Sequence, residues 1–134
     1  MKDRVGAPAW LLAVLLAGCA TGAAVPPPLG SMWAFFSDAD LVMGPGAVTY
    51  TTSQVACETE RRRRRPAPPA CVPVVVSPGT GYYAIALPSQ FDATLPGGGV
   101  GTRDRDRCER VRMDLFRAYS AMGDCQPVAV QRAR

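Results

Sequence analysis

Five cysteines, fourteen arginines and eleven carboxylates are the side chains in this 134-residue sequence that could do chemistry, and histidine is missing altogether. Without an imidazole, Ser-His-Asp and Cys-His catalysis, histidine-ligated zinc and a switch near neutral pH are ruled out. Asp38 and Asp40 (SDAD) could suggest calcium, but no glycine or glutamate follows at EF-hand spacing. Asp104, Arg105, Asp106 and Arg107 alternate in sign, which suits a helix start better than a metal. Acid-base catalysis would need a carboxyl with a raised pKa in an apolar cleft, and no stretch points to one. The sequence therefore predicts no catalytic residue, no metal ligand and no cofactor. The glycine-rich stretch at residues 97–101 (GGGVG) lacks the GxGxxG and GxxxxGK spacings of phosphate loops and reads as a flexible connector before a helix.

Arg61, Arg62, Arg63, Arg64 and Arg65 form an unbroken basic run followed by Pro66-Ala67-Pro68-Pro69. Guanidiniums grip phosphates bidentately, so the run is a candidate anion site for glycolipid or phosphate groups. The plainer reading is a solvated helix end. Cations in a last turn complement the dipole, and Glu58 and Glu60 stand three and four residues before arginines they can pair with.

Around these residues the chain divides into three parts. Lys2 and Arg4 precede nine apolar residues, 9–17 (AWLLAVLLA), and then small residues. A membrane-spanning helix needs about 20 apolar residues, so this is the pattern of a secretory signal. The tetrapeptide Leu16-Ala17-Gly18-Cys19 resembles the lipobox of bacterial lipoproteins. That resemblance implies a signal peptide over residues 1–18, acylation of Cys19 and a membrane anchor of two or more lipid chains. Ala20, in place of the aspartate that often holds such proteins at the inner membrane, implies the outer membrane. An ordinary signal peptide cut after Gly22-Ala23-Ala24 is the alternative. Residues 19–31 include Pro26-Pro27-Pro28 and read as an extended tether, with the folded domain over 32–134.

Within that domain the sequence repeats. Aligning residues 53–76 with 104–130 superposes Cys57-Glu58 on Cys108-Glu109, Arg61 on Arg112, and Cys71-x-Pro73-Val74-x-Val76 on Cys125-x-Pro127-Val128-x-Val130. Aromatic, strand-like runs precede each copy: MWAFF at 32–36 and GYYAIAL at 81–87. The expected halves are about 32–76 and 81–130, each a strand, a loop, a helix and a strand. Thr51, Thr52 and Ser53 mark the start of the first helix, where Thr51 with Gln54 makes a capping box, and Thr102 or Asp104 marks the start of the second. Cys108, Val111, Leu115, Tyr119 and Met122 make one apolar face of the second helix. The first has little beyond Val55, Ala56 and Cys57, so it must lean on a disulfide and its neighbours.

Export would place the chain in an oxidising compartment, and with Cys19 acylated four cysteines remain. They allow three pairings, of which the repeat favours Cys57 with Cys71 and Cys108 with Cys125. Bridged Cα atoms must come within about 7 Å. The first pairing closes with room to spare. The second requires its helix to stop near residues 118–120, with Gly123 free to take a positive φ. A redox role would want a Cys-x-x-Cys spacing, which neither pair has.

The expected fold is α+β: about four strands, with prolines at strand beginnings, two helices on one face, and two βαβ-like, disulfide-stapled halves. From residue 32 to 130 the chain resembles small, uncharacterised exported bacterial proteins with a cysteine-stapled helix-strand unit, a likeness that implies no activity. The functional expectation is a non-enzymatic lipoprotein module of the outer membrane, partnered by the membrane and an envelope protein or anionic glycolipid. From Cys19 onward 13 arginines face 10 acidic residues. That balance is too mild for general electrostatic steering, and nucleic acid is the wrong partner outside the cytoplasm.

Overall fold

The computed structural model describes residues 26–37, 45–89, 96–119 and 123–134. In order these form β1 (Gly30–Ser37), β2 (Ala47–Thr51), α1 (Gln54–Arg62), β3 (Val72–Pro88), β4 (Pro96–Thr102), α2 (Arg105–Tyr119) and β5 (Gln126–Arg132). The fold is α+β with two disulfides, as the sequence implies, but with five strands instead of about four. Every pairing is antiparallel, and the sheet closes on itself because β1 pairs both β2 and β3.

Closure depends on β3 acting as two strands in one. Its first segment, residues 72–78, lies between β1 and β5, and its second, residues 82–88, lies between β5 and β4. Val128 is consequently paired with Pro78 on one side and Tyr82 on the other. Between the segments the chain steps across β5. Gly79 sits so close to Ala129 that a Cβ there would lie 3.0 Å from the alanine methyl, and Gly81 has a φ of 126°. Position 81 favours glycine for its backbone conformation, and at Gly79 a side chain would crowd Ala129.

The strands follow from alternation. Met32, Ala34, Val48, Tyr50, Val74, Val76, Tyr82, Ala84 and Val128 point inward and fill the barrel. Their neighbours point outward to two smaller clusters. Trp33 and Phe35 meet Cys57 and Cys71 under α1. Tyr83, Ile85, Leu87, Ala47 and Val100 meet Cys108, Val111 and Cys125 under α2. The helices thus lie over different strand pairs of the barrel wall, not side by side on one sheet face.

Registers in the two halves correspond position by position. Trp33 opposes Thr51 as Tyr83 opposes Thr102, and Met32 opposes Val74 as Tyr82 opposes Val128. Within each half the two outer strands run parallel on either side of a central antiparallel one, the helix crossing between them. In the first half these are β2, β1 and residues 72–78. The expected border between halves, residues 77–80, is interior to continuous β3.

Three local expectations are corrected. Residues 97–101 are not a connector but the body of β4, buried between β2 and the second segment of β3. There Tyr50 opposes Gly99, and a Cβ at Gly99 would run into the phenol ring and hydroxyl. Ser53, not a Thr51–Gln54 box, caps α1: its Oγ accepts the Ala56 N–H at 3.2 Å, while Thr51 Oγ1 donates to the Ser53 carbonyl at 2.6 Å. The folded body also starts before residue 32, because β1 begins at Gly30 and Pro27 is already buried. The second helix stops at Tyr119 and Gly123 has a φ of 139°, in keeping with the bridge geometry. The side chains of Leu115 and Tyr119, and Met122 altogether, lie outside the described residues.

Candidate functional site: the stapled helix and its arginine end

Cys57 and Cys71 are bonded with Cα atoms 6.3 Å apart, and Cys108 and Cys125 with Cα atoms 6.2 Å apart. Both are the within-half pairs. Cys57 is the one buried residue of α1, and Val55 is 78% exposed, so the helix is held to the barrel by its bridge and by polar contacts near its C-terminus.

Glu58 organises those contacts. One carboxylate oxygen accepts the Cys71 N–H at 3.0 Å and the other accepts from Arg61 Nε at 2.8 Å. The Cys71 N–H first, then the Arg61 hydrogen bond, hold the carboxyl below the usual glutamate range, against partial desolvation. Ionised and acceptor-only, Glu58 joins the end of the helix to the start of β3. The second half has the same ion pair, Glu109 Oε2 to Arg112 Nε at 2.9 Å.

The five arginines of the run are not equivalent. Arg61 also donates Nη1 to the Pro68 carbonyl at 3.0 Å and so braces the proline segment. Arg64 turns inward, its guanidinium 5.9 Å from the centroid of Phe35, the ring that packs on the Cys57–Cys71 bridge. Arg64 Nε is buried without a hydrogen-bond partner. The other three are exposed. Arg63 pairs with Glu60 at 3.1 Å with its side chain 65% exposed. Arg65 donates Nη1 to the carbonyls of Arg62 and Arg64 at 2.6 and 2.9 Å. Arg62 feels the Glu58 charge but lies in no salt bridge among those of the described residues. Two arginines are therefore structural and three face solvent, beside the two carboxylates of α1, Glu58 and Glu60.

Two further cation–π contacts, Arg103 over Tyr82 at 4.3 Å and Arg132 over Phe36 at 5.1 Å, place cations on rings of the barrel core. Their sequence separations, 21 and 96 residues apart, leave no local signal. Tyr50 is fully buried with its hydroxyl unpartnered, and burial pushes the phenol well above the ordinary tyrosine range.

Asp104 begins α2: its Oδ1 accepts the Asp106 N–H at 3.1 Å and its carbonyl accepts from Thr102 Oγ1 at 2.7 Å. Cys19 with its lipobox, and Asp38 and Asp40, lie outside the described residues. Among the described residues no cluster of three His, Cys, Asp or Glu side chains could hold a metal ion, and no helix is long and apolar enough to cross a membrane. In comparisons with known proteins the chain matches no family model, no curated protein and no solved structure.

Proposed function

We propose that the chain is an exported lipoprotein, cut before Cys19 and acylated there, whose stapled barrel serves as a non-enzymatic interaction or structural module of the bacterial outer membrane. The observation that carries this reading is the use of the cysteines. All four in the folded body are bridged, which suits an oxidising compartment, and Cys19, within Leu16-Ala17-Gly18-Cys19, is the one remaining. A folded body that begins by Pro27 leaves a short link to that residue.

The two halves are copies of one ββαβ unit formed by internal duplication. Supporting this are the matched strand registers, the matched bridges and the matched Glu-Arg pairs. Binding of anionic glycolipid or phosphate at the arginine run is the second reading, favoured by the outward exposure of Arg62, Arg63 and Arg65.

The test is an intact mass of protein extracted from membranes with detergent, alkylated with and without reduction. The expected species starts at Cys19, carries acyl chains and takes up four alkyl groups only after reduction. An unacylated chain starting near residue 25 removes the anchor; alkylation without reductant removes the staples.

A further inference from the structure

The described body and the arginine end have a fixed spatial relation. Pro27 is packed on the domain, so six residues, 20–25, separate it and Pro26 from Cys19. Seven Cα steps reach at most about 25 Å. That link enters at Gly30, the start of β1. Helix α1 follows β2, which runs opposite to β1, so α1 returns in the direction of β1 and ends away from Gly30. Its successor β3 accordingly begins opposite Ala34, with Gly30 opposite Val76 further on. Arg64 lies over Phe35, five residues along β1 from Gly30, which is about 17 Å of strand. The arginine end therefore stands about that far along the barrel from the point of attachment, within the reach of the link.

We infer that Arg62, Arg63 and Arg65 dock on the phosphate headgroups of the same membrane that holds the anchor, so that the domain lies along the surface and touches it at two ends. This rests on the lipoprotein reading and deepens it by naming the surface. The charge is available: among the described residues of this helix and its end, five guanidiniums stand beside two carboxylates, and the two inward arginines, Arg61 and Arg64, keep the segment shaped while the other three face out. A basic residue within a Debye length of an anionic bilayer is drawn to it, and a lipid anchor makes the contact effectively intramolecular. Patch and anchor together form a two-signal attachment.

Acylated protein is reconstituted into phosphatidylcholine vesicles with and without phosphatidylglycerol and treated with trypsin. Cleavage after Arg62, Arg63 or Arg64 nicks the loop closed by Cys57–Cys71, so its products separate only on reduction. Cleavage after the exposed Arg105, on the other helix, is the internal control. The expected result is at least a tenfold slowing at the run in phosphatidylglycerol vesicles, reversed by 0.5 M salt and not by millimolar inorganic phosphate, with the Arg105 bond unaffected (order-of-magnitude values for a screened polybasic contact). Equal rates in the two vesicles, slowing shared by the Arg105 bond, or release by inorganic phosphate would each overturn the inference. The triple replacement R62Q/R63Q/R65Q gives a second reading in an assay that needs no protease at the run, flotation with anionic vesicles of chain prepared without acylation. Loss of flotation is expected, and undiminished flotation counts against the docking. An unacylated chain in the mass measurement defeats the anchor alone, since flotation of that chain still reports on the arginines.

Discussion

Glu58 shows how much one carboxylate can organise. It bonds Arg61 within its own helix and the Cys71 N–H across thirteen residues of chain. Because its folded pKa is lowered, it contributes stability at pH values above the unfolded glutamate range, and that contribution is lost as pH falls through about 4.5 toward the folded value. Replacing Glu58 with Gln should flatten this part of the pH dependence: urea midpoints at pH 6 and pH 3 should differ less in Glu58→Gln than in the parent. The Glu58–Arg61 pair was legible from its i,i+3 spacing. The bond to Cys71 was not, since it exists only once the bridge has brought the loop back. Arg64 makes the same point. Nothing in a run of five identical residues distinguishes the one that turns inward, and Phe35, which receives it, lies 29 positions earlier in the sequence.

At the scale of elements, β4 is where local preference and tertiary demand disagree most. A GGGVG segment has neither side chains to pack nor β-propensity, so on its own it reads as a linker. Its place in the barrel needs the absence of side chains. A Cβ at Gly98 would strike the Tyr50 carbonyl, with Thr51 Cα 2.8 Å away. At Gly99 the obstacle is the Tyr50 side chain instead, Cε2 lying 2.9 Å off. Backbone cannot yield where a ring can, so Gly98→Ala should destabilise by roughly 3 kcal/mol or more and Gly99→Ala by less. Truncating Tyr50 to Leu should rescue Gly99→Ala and leave Gly98→Ala unrelieved, as read by chemical denaturation of the single and double variants. The helices were easier to foresee. Asp104 and the Cys108, Val111 spacing announced α2, whereas α1 was inferred chiefly from its copy and from Thr51, Thr52 and Ser53, of which Ser53 and not the Thr51–Gln54 box makes the cap.

For the molecule as a whole, two staples of similar loop length do different work. Each should contribute about 3 kcal/mol by restricting the unfolded chain. Their local effects diverge because α1 buries only Cys57, whereas α2 also buries Val111. In hydrogen exchange, Cys57→Ala/Cys71→Ala should strip protection from all of α1 and leave the barrel amides slow. Cys108→Ala/Cys125→Ala should leave the turn around Val111 measurably protected. Slow exchange throughout α1 in the first variant would mean that its polar contacts suffice. Strand runs, bridge pairing and the two-helix plan could be read from periodicity and the repeat. Ring closure could not, because it depends on β3 stepping over β5, and a Pro-Gly-Thr-Gly stretch announces a turn, not a crossing.

That crossing also sets an order of events. β5 fills the gap between the two segments of β3, and it follows both of them in sequence. Until residues 126–132 have left the ribosome, both segments present open edges and the ring has a missing stave. A nascent chain of this sequence therefore stays unclosed, and able to be threaded, until β5 has been synthesised and has emerged.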